Sequence, residues 1–263
     1  MALVFAAITP HPPLLIPTIG KRIIKKVDKT RRALLKLEED LYARRPDTVV
    51  IISPHGTFLP EALTINFCEE YRSDLREFGD LTTNLKFRGG STLANAVRHG
   101  TGHTNFKTKL ISETTLDHGS VVPLYYLLRH LKEVPILPIG FSDFDAKTHF
   151  EFGTYLKEVI VNTNLRVAII ASGDLSHALT TDAPAGFNPR AAEFDATLRQ
   201  LLETRNSAGV VNLDANLIEA GAECGLRSIL ILLGVMRDIN YSFQEYSYEA
   251  PFGVGYLTAN FVF

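Results

Sequence analysis

The sequence predicts an α/β fold: a single domain with a central mixed, mainly parallel sheet flanked by helices. Three observations predict it. Short apolar or β-branched runs alternate with longer stretches of helical period, the pattern of strand–helix–strand units. Several of the apolar runs stop abruptly in loops that hold Pro or Gly. No linker, internal repeat, low-complexity tract or composition break divides residues 1–263, so one large core is expected.

Val4 to Ile8 reads as the first strand, stopped by Thr9-Pro10-His11-Pro12-Pro13, because proline cannot extend a ladder. No basic segment precedes it, which argues for a strand and against a signal peptide. From about Lys21 to Arg44, Ile24, Val27, Leu34, Leu35 and Leu41 recur among charges and predict a helix. Thr48 to Ser53 is a continuous β-branched run, as expected of a strand buried on both faces, and it ends in Pro54-His55-Gly56. Leu63 to Phe67 reads as another strand and Ser91 to Arg98 as a helix. Asp117-His118-Gly119-Ser120 is expected as a loop entering an apolar helix from about Val121 to Leu131. A strand over Val134 to Phe141, a helix over Ala146 to Asn162 and a strand over Leu165 to Ala171 follow. That last strand runs into Ser172-Gly173-Asp174-Leu175-Ser176-His177. Pro189 to Glu203 and Ile218 to Met236 read as helical, the second broken near Gly221. Tyr241 to Glu249 and Val254 to Phe263 are expected to form a hairpin or two adjacent strands. This aromatic C-terminal segment reads as sheet core, with a subunit interface as the alternative, and a homo-oligomer is expected.

The composition, 46% hydrophobic and 21% charged, is that of a folded globular chain. A net charge of −2 argues against nucleic-acid binding, which needs a basic surface to release counterions. No apolar run approaches the roughly 20 residues of a membrane span. Cys68 and Cys224 cannot make a disulfide framework, so a reducing cytoplasm is the expected location. The P-loop, the Rossmann fingerprint, the nucleophile elbow, CxxC and HExxH are all absent.

The eight histidines are more informative. His11, His55 and His177 each lie just past a buried strand, and in open α/β sheets ligands bind beyond the carboxyl ends of strands. Each alone reads as an ordinary loop histidine; together they are focused on one crevice. His118, between Asp117 and Gly119, joins them as a fourth candidate. His99, His103, His130 and His149 have no such context and read as surface or local hydrogen-bonding residues.

If His11 and His55 hold a metal, a third donor is needed. Two imidazoles and a carboxylate on one face of an octahedron suit non-haem Fe(II) and leave positions open. Glu223 is the candidate carboxylate, set among small residues before the apolar run Ile229 to Leu233. It reads equally well as an acidic residue favoured by a helix N-terminus. Cys224 is the competing donor, and a thiolate would favour Zn or Cu; its plainer reading is a small buried side chain. Asp174 and Asp117 could orient the neighbouring histidines or simply cap and turn the chain. Phe58, Tyr125 and Tyr126 could line a pocket, although core packing accounts for them as well.

Taken in order, Pro10-His11-Pro12-Pro13, Ser53-Pro54-His55-Gly56, Asp117-His118-Gly119 with Pro123-Leu124, Ser172-Gly173-Asp174-Leu175-Ser176-His177 and Ala220-Gly221-Ala222-Glu223 make a pattern. It resembles the class III extradiol ring-cleavage dioxygenases of LigB type and their Memo-like relatives, from residue 11 to about 235. The resemblance implies Fe(II) held by His11, His55 and Glu223, with His177 as acid–base group and His118 as a second active-site histidine. It implies ring opening of a catechol-like aromatic diol by O2, and it allows a separately encoded small subunit. There is one departure: Memo-like proteins carry Cys-Gly-Arg here with the cysteine as ligand, whereas Cys224-Gly225 directly follows Glu223 and Arg227 comes two residues later. A Memo-like metal-binding protein without dioxygenase turnover, and a metal-dependent hydrolase, are the alternative readings.

Overall fold

The computed structural model describes residues 2–100 and 106–263. The chain begins with β1 (Leu3–Thr9), α1 (Pro17–Gly20), α2 (Asp28–Arg44), β2 (Thr48–Ser53), β3 (Leu63–Asn66), β4 (Glu70–Ser73) and β5 (Lys86–Arg88). The middle holds α3 (Ser91–Gly100), β6 (Thr108–Ile111), β7 (Thr115–Leu116), α4 (His118–Leu127), β8 (Ile136–Gly140), α5 (Ala146–Val161) and β9 (Val167–Ser172). The last part holds α6 (Ala191–Glu203), α7 (Ser207–Val211), α8 (Ala215–Gly221), α9 (Leu226–Val235), β10 (Ser242–Glu249) and β11 (Tyr256–Val262).

The main sheet has the order β10-β11-β1-β9-β2-β8-β3-β6. The centre, from β1 through β9 and β2 to β8, is parallel, while β11, β10 and β3 bring antiparallel pairings. The fold is therefore the single-domain, mixed and mainly parallel α/β architecture that the sequence predicts. The central strands are apolar throughout because both faces are covered. In β2, Val50 and Ile52 pack on the side of α3, α5 and α9, while Val49 and Ile51 pack on the side of α2 and α4. A small sheet, β5-β4-β7, lies on the α2–α4 side, where Tyr71 and Phe87 join that core. Its strands are two to four residues long and escaped the sequence reading, because so short a run carries no period.

Three boundaries differ from expectation in ways that matter. The first long helix begins at Asp28, not Lys21; Lys21 takes a positive φ (45°) where α1 ends, and a 3-10 turn over Ile23–Val27 follows. The helix expected from Val121 begins at His118, because Asp117 caps it by accepting the Ser120 N–H at 3.0 Å. His118 is thus a first-turn residue of α4 rather than a loop residue. The break near Gly221 spans residues 222–225, where Ala222 (φ 48°) ends α8 before α9 starts at Leu226. The C-terminal hairpin is as expected, with β10 and β11 antiparallel. Among the described residues no helix is long and apolar enough to cross a membrane.

Candidate metal centre

The sheet aligns three strand ends. β1 and β9 are in register with Thr9 opposite Ser172, and β2 lies on the other side of β9. The segments carrying His11, His55 and Asp174–His177 therefore leave the sheet side by side at its carboxyl edge. α4 delivers His118 to the same place. The ligand nitrogens of His11, His55 and His118 all lie within 4.8 Å of one another. His11 Nε2 and His55 Nε2 are 3.0 Å apart, and the His55 and His118 rings stack with centroids 4.2 Å apart.

The His11 ring is held by a chain that can be read back to sequence. Pro123 sits inside α4 and has no N–H, so the carbonyl four residues earlier, Gly119 O, lacks its helical donor. The Ser172 hydroxyl donates to that carbonyl at 2.5 Å. Its oxygen is then free to accept from His11 Nδ1 at 2.9 Å, which fixes the Nδ1–H tautomer and turns the Nε2 lone pair toward the cluster. Of the two roles open to Asp174 and Asp117, orienting a histidine or capping the chain, Asp117 takes the second: it caps α4 and accepts from the Ser53 and Ser120 hydroxyls. Asp174 accepts the backbone N–H of His11 at 2.9 Å, and its second oxygen lies 4.0 Å from His11 Nε2. Ser172 was overlooked, and the proline inside the helix that follows the Asp117-His118-Gly119 motif was the available signal.

His55 is placed by its own backbone N–H on Ser53 Oγ (3.3 Å). His118 meets the edge of Phe78 at 4.9 Å, and its Nδ1 lies 3.9 Å from Glu77 Oε1. Burial lowers all three imidazoles below their ordinary range: His11 strongly, with His55, His118 and His177 adding repulsion; His55 with help from His118; His118 against a nearby Asp117. Three neutral imidazoles with converging nitrogens form a donor set that fits a divalent cation.

The α8–α9 break closes this side of the site through a close backbone approach. A Cβ on Gly173 would lie 2.1 Å from Gly225 Cα, so only glycine lets the end of β9 meet the start of α9. That contact seats Cys224 against Asp174: the Asp174 N–H donates to Cys224 Sγ at 3.3 Å, and Sγ lies 3.6 Å from His11 Nε2. Burial, with Asp174 beside it, pushes the thiol well up. Glu223 is placed otherwise. Its carboxylate accepts the Leu226 N–H at 2.5 Å, at the start of α9, and it lies outside the group formed by His11, His55 and His118. Burial pushes it up to about 7, as it does Asp174.

His177 follows the same loop, its backbone N–H donating to Gly221 O at 2.9 Å. Its Nδ1 is buried and makes no hydrogen bond, although the Leu175 and Ala222 backbone lies near enough to offset part of the lowering that burial causes. A cavity of about 840 Å³ opens beside the cluster, lined in part by His55, Asn66, Arg76, Glu77, Glu113 and Asp117. Phe58, Tyr125 and Tyr126 do not line it; Tyr126 is buried and donates to Leu15 O at 2.6 Å. Of the other histidines, His130 pairs with Glu38 at 2.8 Å, and His149 is buried against Asp145 O and the Ser142 N–H. His99 lies on α3, and His103 lies outside the described residues.

Residues 5–259 match the family described as the catalytic LigB subunit of aromatic ring-opening dioxygenase. The chain belongs to the LigB family. It is 29% identical over 256 residues to protein CA_C1420 of Clostridium acetobutylicum, which covers 94% of this chain and 55% of that protein. It is 27% identical to a protein of Mirabilis jalapa named 4,5-DOPA dioxygenase extradiol, covering 68% of this chain and 67% of the relative. It is also 27% identical to a 2,3-dihydroxyphenylpropionate/2,3-dihydroxicinnamic acid 1,2-dioxygenase of Mycobacterium ulcerans, covering 68% of this chain and 58% of the relative. This LigB-family chain thus spans little more than half the length of two of these relatives. Its fold matches that of uncharacterized protein JW3007 from Escherichia coli K12, with a TM-score of 0.70, 19% identity, and 98% and 99% of the two chains covered. At the level of the superfamily the chain groups with the LigB-type ring-opening dioxygenases.

Proposed function

We propose that this chain opens the ring of a catechol-like aromatic diol with O2, using a divalent metal, Fe(II), held by His11 and His55. The observation that carries this reading is the convergence of neutral imidazoles at the carboxyl edge of the sheet in a LigB-family chain. Bound Fe(II) would supply open coordination positions at which the two reactants are brought together. The 840 Å³ cavity beside His55 has room for a single aromatic ring and its substituents. His177, neutral because burial lowers it, would accept a hydroxyl proton from the diol and return it later. His118, on the first turn of α4, would hydrogen-bond the reacting groups from the other side.

The third protein donor comes from the Glu223–Cys224 step. The motif register favours Glu223; Cys224 Sγ is the atom in contact with His11, while one oxygen of the Glu223 carboxylate is engaged by the Leu226 N–H. That contact also supports a second reading, a metal-binding protein that prefers Zn or Cu and does not open rings. Anaerobic Fe(II) loading followed by a catechol panel in an oxygen-electrode cell separates the two. A yellow ring-opened product with O2 uptake supports the dioxygenase. Full loading with no uptake on any catechol, together with a preference for Zn or Cu, supports the second reading. A cytoplasmic location and assembly as a homo-oligomer, with or without a separately encoded small subunit, complete the proposal.

A further inference from the structure

Apart from the metal cluster, the loop that carries His177 is gripped by a buried carboxylate from α6. Asp195, on α6, is 1% exposed and accepts the backbone N–H of Ser176 at 2.8 Å. Its other oxygen accepts from the Tyr248 hydroxyl of β10 at 2.6 Å. Tyr248 is in turn covered by the Arg199 guanidinium, 4.1 Å above its ring, and Arg199 makes a two-pronged ion pair with Glu245 (2.7 and 2.8 Å). The approach is tight enough to dictate sequence: a Cβ on Gly255 would lie 2.1 Å from Asp195 Oδ2. Gly255 itself clamps the loop, donating to Ser176 O and accepting from the Leu175 N–H, both at 2.8 Å. The remaining Ser176 contact, its hydroxyl accepting from the Ala178 N–H at 3.0 Å, stays within the loop. Asp195 is thus a charged side chain taken out of water to grip the residue next to His177, a costly choice if only packing were needed.

We propose that Asp195 is a positioning residue, acting through Ser176 to hold the His177 imidazole where it can exchange a proton with bound substrate. This rests on the assignment of His177 as the acid–base group. Misplacing a proton-transfer group by about 1 Å can cost up to about a hundredfold in rate without touching substrate affinity. Asp195→Ala is expected to lower kcat about tenfold or more, with KM and metal content unchanged. Asp195→Asn keeps an oxygen for the Ser176 N–H and should restore most of the rate. Tyr248→Phe, which removes only the outer hydrogen bond, should lower kcat in the same direction by less.

The test combines these kinetics with NMR of 13C-histidine-labelled protein, the His177 signal being identified by its loss in His177→Ala. In Asp195→Ala that signal should shift or broaden, and in Asp195→Asn it should return. Added to His177→Ala, the Asp195→Ala change should cost nothing further. The proposal is overturned if Asp195→Ala leaves kcat and the His177 signal as in the parent, or if it costs the same factor in the His177→Ala background. It is also overturned if metal content and thermal stability fall together with kcat and Asn rescues none of them. Normal turnover by His177→Ala would remove the acid–base assignment instead. The signal then decides alone: a displaced His177 in Asp195→Ala supports the positioning role and an unmoved one ends it.

Discussion

Removing the Ser172 hydroxyl tests how the site is built. Ser172 and His11 are 0% and 2% exposed, so water cannot replace the lost group. Ser172→Ala leaves two buried polar groups without partners: the His11 Nδ1–H, and Gly119 O, which Pro123 cannot serve. An unsatisfied buried group costs about 1–3 kcal/mol, so the metal-free protein should lose on the order of 2–6 kcal/mol of stability. With about 2–4 °C of melting temperature per kcal/mol for a chain of this size, a fall of roughly 4–24 °C is expected. Freed from Ser172, the ring can take the other tautomer or rotate, and loss of such an outer partner weakens metal binding by about 10- to 100-fold. Competition titration with a chromophoric chelator reads the affinity, and thermal denaturation of the metal-free form reads the stability. Parent affinity together with parent melting temperature in Ser172→Ala would refute the proposed Pro123–Gly119–Ser172–His11 chain.

His11→Ala and His55→Ala should each abolish metal retention while leaving the far-ultraviolet circular dichroism spectrum intact, whereas His177→Ala should keep the metal and lose about 10²–10⁴ in kcat. Elemental analysis after desalting, set beside turnover, checks both. The third donor should reveal itself in the pH dependence of metal affinity, because a ligand must shed its proton to bind. Burial pushes the Cys224 thiol well above its ordinary range, so thiolate ligation predicts an affinity that climbs about tenfold per pH unit from pH 7 to 9. Glu223 is pushed up only to about 7, so carboxylate ligation predicts a rise that levels off above that pH. The matching variant, Cys224→Ala or Glu223→Ala, should then be the one that releases the metal.

Much of this architecture was legible in the chain. β2 and β9 could be read from Thr48–Ser53 and Val167–Ser172 because strands buried on both faces must be apolar at every position. Strand ends point His11 and His55 to one edge, since a parallel sheet sends its loops there. The start of α4 was misread because capping by Asp117 operates over three residues, too short a span for periodicity to register. β4, β5 and β7 were missed for a related reason: their few residues owe their conformation to pairing partners distant in sequence. Ser172 and Asp195 lay beyond reach for a third reason. Each gains its role from a partner distant in the chain, Gly119 at 53 residues for the one and Ser176 at 19 for the other; Pro123 marks the carbonyl left without a helical donor, but nothing local says which side chain serves it. The Glu223–Cys224 step shows the limit of a motif register: neighbouring residues point to different partners, and only the close contact of Gly173 with Gly225 says which faces His11.

The most direct measurement is a single one. The protein, loaded anaerobically with Fe(II) and desalted, is mixed with a panel of catechols in air-saturated buffer while O2 and the visible spectrum are followed together. A ring-opening dioxygenase gives a yellow product with one O2 consumed per ring opened, and His11→Ala gives neither. Fully loaded protein that consumes no O2 with any catechol on the panel would contradict it.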